Sequence, residues 1–261
     1  MKQALLKSLG DELYQALRAR ECVEPLTARH ADLSIDDAYH ISLHMLQRRL
    51  GDGEQIIGKK IGVTSKAVMR MLDVHQPDFG YLTDRMVYSE GEEMPVSSQL
   101  IQPRAEGELA FILKHDLEGP GVTLTDVLRA TECVMPCFEV VDSRIRDWKI
   151  RIQDTIADNA SCGLFVLGDA AVDPRRVDLA LAGMVVEKNG EIIATGAGAA
   201  ALGSPLNAVA WLANTLGGFG IALKAGEVIL SGSLVPLEPV QAGDFMRLSV
   251  GGVGGCSVRF A

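Results

Sequence analysis

Positive charge is scarce in this sequence. Its 261 residues carry 25 Lys and Arg against 34 Asp and Glu, a formal net charge of −9. Neutralising a phosphate backbone takes clustered cations, so no nucleic-acid partner is expected. The five cysteines (Cys22, Cys133, Cys137, Cys162 and Cys256) are odd in number and scattered, with no C-x-x-C zinc spacing among them. They read as small buried hydrophobes in a reducing, cytoplasmic compartment. The stretch Met1–Ser8 is amphipathic and lacks the unbroken apolar block of a signal peptide. One long uncharged run does occur, between Glu191 and Lys224, but Gly196, Gly198, Gly203, Pro205, Asn207, Asn214, Gly217 and Gly218 interrupt it. A membrane-spanning helix wants about 20 predominantly apolar residues, so the run reads as a buried loop–helix–loop and no membrane partner is expected.

What is present is a chain able to bury a large core, with 48% hydrophobic residues. Leu6, Leu9, Leu13 and Leu17 recur at helical spacing. A second helix starts at Ser34 as N-cap, with Asp37 three residues on, turns Ala38, Ile41 and Met45 inward, and ends at Gly51-Asp52-Gly53. Residues 1–54 therefore form an N-terminal helical cap on a core of residues 55–261, and the two can make a single domain. From Ile56 the pattern changes to short strands. Ile56–Val63, Leu109–Leu113, Phe138–Val141, Leu164–Leu167, Met184–Lys188, Val228–Ser231 and Met246–Val250 are candidates, with a hairpin turn at Asn189-Gly190. Ser65 caps a short helix through Leu72, Val74–Gly80 is a loop, Ile150–Ile152 is strand-like, and Ser204-Pro205 opens a helix to about Leu216. Many short strands with few helices predict an α+β, β-rich class rather than a βαβ alternation.

Within a strand-like run lie Glu106 and Glu108. The side-chain period of a strand is two, so both face the same way. A divalent cation resolves the repulsion of such a pair, because Mg²⁺ and Mn²⁺ prefer carboxylate oxygens; a solvated edge strand is the alternative. Glu139, in Phe138-Glu139-Val140-Val141-Asp142, offers a third carboxylate from another apolar run.

Arg104-Ala105-Glu106-Gly107-Glu108 followed by Phe138–Ile145 resembles the fumarylacetoacetate hydrolase superfamily, specifically its hydratase/decarboxylase branch of aromatic meta-cleavage pathways. Gly58–Thr64, Gln76–Gly80, Asp158–Gly163, Gly203–Asn207 and Ser231–Leu234 extend the likeness, in order, over essentially the whole chain. The resemblance implies a curled mixed β-sheet core around Mg²⁺ or Mn²⁺, with Glu106, Glu108 and Glu139 as ligands. It implies hydration of 2-hydroxypenta-2,4-dienoate to 4-hydroxy-2-oxopentanoate, with Lys60 at the C2 oxygen and Asp78 as the acid/base. Lys60, Ser161 and Ser233 are the expected substrate-binding residues; either serine could instead cap a turn, and Asp78 could be a turn residue after Pro77. His75 reads as a polar loop residue. Arg144, Arg146, Asp147 and Trp148 read as a solvated turn with one packed aromatic, and Asp154 or Asp158 could stand behind the metal ligands. Alternatives on the same scaffold are 4-oxalocrotonate decarboxylase or a non-catalytic partner subunit of it. A homo-oligomer is expected, and a complex with the decarboxylase is compatible with the hydratase.

Overall fold

Leu6, Leu9 and Leu13 share one side of the first helix, and burying that side decides where it docks. In the computed structural model, which describes residues 1–71 and 73–261 apart from the side chains of Ala67 and Met71, α1 (Gln3–Ala19) packs along α3 (Ile35–Gly51), and the short α2 (Leu26–Arg29) connects them in sequence. Ser34 and Asp37 form a reciprocal capping box at the start of α3, Asp37 N donating to Ser34 Oγ at 3.1 Å and Ser34 N to Asp37 Oδ2 at 3.2 Å. The apolar faces of these helices close over Ile145, Ile152 and Ile156, forming a hydrophobic cluster of their own.

The remaining helices are α4 (Lys66–Met71), α5 (Val96–Gln99), α6 (Leu124–Ala130), α7 (Ile152–Ala157) and α8 (Pro205–Gly217). The strands are β1 (Ile56–Gly62), β2 (Asp78–Thr83), β3 (Val87–Ser89), β4 (Glu93–Met94), β5 (Arg104–Leu113), β6 (Thr131–Val141), β7 (Leu164–Leu167), β8 (Gly183–Lys188), β9 (Glu191–Ala197), β10 (Val228–Leu230), β11 (Glu238–Pro239), β12 (Phe245–Val250) and β13 (Gly254–Phe260). They build a curled mixed sheet in the order β2-β1-β10-β5-β6-β7-β3, with β11 beside β5, and a second sheet β4-β13-β12-β8-β9. The α+β, β-rich class is as expected. The sheets meet where Gly107 leaves room for Met184 and Leu248, which a side chain there would strike.

Three local expectations are corrected, and one strand is added. Asp78–Gly80 is not loop but the start of β2, because Gly62 pairs with Asp78 and Lys60 with Gly80 in an antiparallel ladder. Gly80 is the residue that allows it: a Cβ there would fall 2.5 Å from the Asn159 carbonyl oxygen. The uncharged run is not a uniformly buried loop–helix–loop. Its first part is β9, an edge strand partnered on one side alone, which leaves Ile192 66% exposed. Ile150–Ile152 forms no strand; α7 begins at Ile152, where Arg151 N donates to Asp154 Oδ2 at 2.9 Å. The Gly-rich segment Gly254–Phe260 forms the unexpected strand β13. Ser65 Oγ does accept from Val68 N at 3.2 Å at the start of α4, while the end expected at Leu72 lies outside the described residues. No helix among the described residues is long and apolar enough to cross a membrane.

Candidate active site and metal centre

The long strands β5 and β6 run antiparallel, in a register that sets Glu106 opposite Glu139 and Glu108 opposite Cys137. Strand alternation sends Glu106 and Glu108 to one face, and Glu139 joins them from the neighbouring strand. One oxygen of each carboxylate lies within 4.8 Å of the others. Glu108 and Glu139 are buried and Glu106 is half-buried. Burial first, and the neighbouring negative charge second, push the Glu106 carboxyl up to about 7. The same causes raise Glu108 well above the usual carboxylate range. Burial also raises Glu139, with Lys60 opposing it.

The donor set fits a divalent cation. Glu108 Oε2 accepts from Gly232 N at 2.8 Å. Glu108 Oε1 and Glu139 Oε2 are buried and take no hydrogen bond among the described residues, and Glu139 Oε1 has only the Lys60 ammonium near it. Orphaned carboxylate oxygens converging from two strands are what a hard, oxygen-seeking cation requires.

Lys60 reaches the cluster from β1, its Nζ 3.3 Å from Glu139 Oε1. Burial works against its ammonium, but Glu139, Asp78 and Glu106 outweigh that and hold its pKa above the usual lysine value. Asp78, on β2, is buried with Oδ1 unpartnered. Desolvation raises its carboxyl pKa, and Lys60 opposes the rise. Gly62 stands between the two: a Cβ there would overlap Asp78 Oδ1 and lie 3.3 Å from Lys60 Nζ.

These groups open onto a cavity of about 740 Å³ lined by Lys60, Asp78, Glu106, Ser161 and Ser233, so five of the seven expected residues line one cavity. Glu108 and Glu139 are buried against Glu106 and do not line it. Ser161 ends a turn in which Asn159, Ala160 and Ser161 all hold positive φ, at 53°, 51° and 53°. The turn is pinned from both sides. The Asn159 amide donates to Tyr81 O at 3.0 Å and accepts from Tyr81 N at 2.9 Å, and Ser161 Oγ lies 3.2 Å from Thr155 Oγ1. Ser233 Oγ donates to Val235 O at 2.5 Å, which commits its hydrogen to a turn.

The solvated turn expected at Arg144 is overturned. Arg144 is 1% exposed, with Nε 2.5 Å from Asp158 Oδ1 and Nη2 donating to Asp158 O at 2.7 Å. A buried guanidinium needs such a partner, and Asp158 is consumed by it. Asp154 accepts from Thr27 N and Thr27 Oγ1 at 3.0 and 2.7 Å. Both aspartates therefore bind elsewhere than to the three glutamates. His75 is exposed and does not line the cavity. Sequence reasoning missed the other wall, Leu234–Leu237, and the cavity position of Arg104 and Trp148. Period two from Glu106 would have placed Arg104 on the ligand face.

Comparison with known proteins agrees with this geometry. The profile of the family described as fumarylacetoacetate (FAA) hydrolase C-terminal matches residues 58–261. A 2-hydroxypent-2,4-dienoate hydratase from Pseudomonas putida is 74% identical over 222 residues, 85% of this chain and 100% of that protein. A 2-hydroxyhexa-2,4-dienoate hydratase from Comamonas testosteroni is 60% identical over 256 residues, covering 98% of this chain and 97% of that one. The solved 4-oxalocrotonate decarboxylase from Pseudomonas putida G7, complexed with magnesium and adipate, superposes with a TM-score of 0.96 at 35% identity, covering 100% of this chain and 99% of that one. With its curled sheet and its carboxylate cluster, the chain belongs to the fumarylacetoacetate hydrolase family.

Proposed function

We propose that this chain is a hydro-lyase that adds water to 2-hydroxypenta-2,4-dienoate, giving 4-hydroxy-2-oxopentanoate in meta-cleavage catabolism of aromatic compounds. The observation that carries the reading is a cavity lined by a lysine, a buried aspartate and Glu106, with Glu108 and Glu139 clustered behind Glu106, in a chain 74% identical to a hydratase. Glu106, Glu108 and Glu139 would hold Mg²⁺ or Mn²⁺. When bound, the cation supplies Lewis-acid charge at the 2-oxo acid end of the substrate.

The remaining work falls to the chain itself. Lys60 places a fixed positive charge at the C2 oxygen, stabilising the negative charge that develops as the dienol ionises. Asp78, whose burial favours the protonated acid, gives a proton to C5, leaving a C3=C4 double bond conjugated to the C2 carbonyl. Its carboxylate then takes a proton from the water whose oxygen bonds to C4, which restores the Asp78 acid, and a solvent proton equivalent to the one the dienol released is returned to C3 to complete the addition. Ser161 presents a hydroxyl to the substrate from the rigid turn, and Ser233 lines the same cavity beside Leu234.

Exposed Leu181, Ile192 and Phe219 support assembly into a homo-oligomer, with a complex with the decarboxylase as a further association. Five free cysteines suit the reducing cytoplasm.

The test is loss of dienoate ultraviolet absorbance with metal-stripped protein, with and without Mg²⁺ or Mn²⁺, and product identification by mass. The expected result is metal-dependent gain of one water, reduced about 10²- to 10⁴-fold in Asp78→Asn. Parallel trials with 4-oxalocrotonate address the second reading, favoured by the TM-score of 0.96 to the decarboxylase. Loss of CO₂ without hydration would overturn the proposal.

A further inference from the structure

The cavity holds a second cation. Arg104 opens β5 two residues before Glu106 and four before Glu108, so strand alternation puts all three on one face. Its guanidinium lies over the Trp148 ring, 4.8 Å from the centroid. Trp148 is fixed in turn, its Nε1 donating to Gln102 O at 3.1 Å. Arg104 is half-buried and lines the cavity. Among the described residues it has no carboxylate within ion-pair distance and no acceptor for its side-chain N–H groups. The other cations of the neighbouring segment are committed: Arg144 to Asp158, and Lys149 to Asp147 at 3.1 Å.

Five N–H donors resting on an aromatic shelf are a built receptor for a planar oxyanion. A 2-hydroxydienoate carries one carboxylate. Two strand residues separate Arg104 from Glu106 by about 6.8 Å, a span its long side chain can bridge. Lys60 and Asp78 approach from β1 and β2, beyond β10, so the reacting carbons lie toward those strands and the acid end lies toward β5.

We infer that Arg104, seated on Trp148, binds the C1 carboxylate of the substrate and makes the cavity selective for 2-oxo and 2-hydroxy acids; this rests on the proposed hydratase reading. Arg104 sets affinity, while Lys60 and Asp78 act on the reacting atoms.

The experiment compares wild type, Arg104→Met and Arg104→Lys as full-length, metal-loaded chains, with thermal melting as the check on folding. Steady-state kinetics use 2-hydroxypenta-2,4-dienoate, and calorimetric titration uses 2-oxopentanoate, a saturated acid that cannot be hydrated. In Arg104→Met the KM should rise about 10- to 100-fold, the value of one charged hydrogen-bonded contact. Affinity for 2-oxopentanoate should fall by the same factor, kcat should stay within about threefold, and Arg104→Lys should lie between. Unchanged KM and unchanged 2-oxopentanoate affinity would overturn the inference. So would a loss of kcat alone, or a defect confined to substrates with a second, distal carboxylate. An inactive wild type would sink the hydratase reading by itself, while the 2-oxopentanoate titration would still decide whether Arg104 holds a carboxylate.

Discussion

Glu139 stands directly opposite Glu106 in the β5–β6 ladder, and Lys60 Nζ lies 3.3 Å from its Oε1. Like charges facing one another across a sheet are destabilising, and here they are also buried. One lysine offsets one of three carboxylates. The arrangement is stable only if protons or a cation supply the rest, and that condition can be measured.

The first consequence concerns metal and stability. Adding Mg²⁺ or Mn²⁺ to stripped protein should raise its melting temperature, since a ligand at about one hundred times its Kd adds about 2.7 kcal/mol. Glu139→Gln should abolish the shift. A stripped wild-type protein whose melting is indifferent to both cations would remove the case for the triad as a metal centre.

The second concerns pH. In the metal-free protein Glu106 titrates near 7, against an ordinary value of 4.5. Between those values the folded chain holds a proton that the unfolded chain has released, so folding binds more protons. The stability from this group is fully present below about 4.5 and is lost as pH rises through about 7. Thermal melts across that window should show metal-free wild type losing ground to Glu106→Gln as pH rises. Cation binding displaces the protons, so the stabilisation by Mg²⁺ should grow over the same range. A constant difference between wild type and variant would contradict the titration.

A single methyl group should be enough to disturb the pairing of Lys60 with Asp78. In Gly62→Ala the new Cβ overlaps Asp78 Oδ1 and crowds Lys60 Nζ. Overpacking of this kind costs about 1–3 kcal/mol, and hydratase activity should fall at least tenfold (about 1.4 kcal/mol of barrier) in protein that still folds. Wild-type kcat in this variant would mean that Asp78 and Lys60 need not approach as closely as they do.

Arg144→Met tests the pin behind the turn. It strips the buried Asp158 carboxylate of its guanidinium, leaving it the residue 144 backbone N–H, and takes the side-chain donor from the Cys162 carbonyl. Breaking a buried pair from one side costs about 3–5 kcal/mol, readable in urea unfolding. A loss below about 1 kcal/mol, the scale of an exposed pair, would reclassify the contact as incidental.

The triad was legible in the sequence because two independent regularities met. Alternation put Glu106 and Glu108 on one face, and the family resemblance joined to them Glu139, which its apolar run alone left open between burial and exposure. Asp78 was readable as a residue but not as a strand: Pro77 and Gly80 look like loop punctuation until one knows that Gly80 makes way for the Asn159 turn. Arg144 read as solvated because burial of a guanidinium depends on Asp158, a partner fixed by tertiary packing and not by spacing. The wall at Leu234–Leu237 left no local pattern, since it is a loop brought to the cavity by β10 and β11. Arg104 was on the page within its motif, and only the position of Trp148 gave it a direction.

Asn159, Ala160 and Ser161 hold in succession a conformation that glycine alone visits without cost. A thermostability screen at these positions would therefore reward Ala160→Gly, which relieves local backbone energy. The same change would slacken the wall that presents Ser161 to the cavity. Robustness and turnover pull in opposite directions at this turn, and a breeder of hardier variants should expect the best melting temperatures there to come from the slowest enzymes.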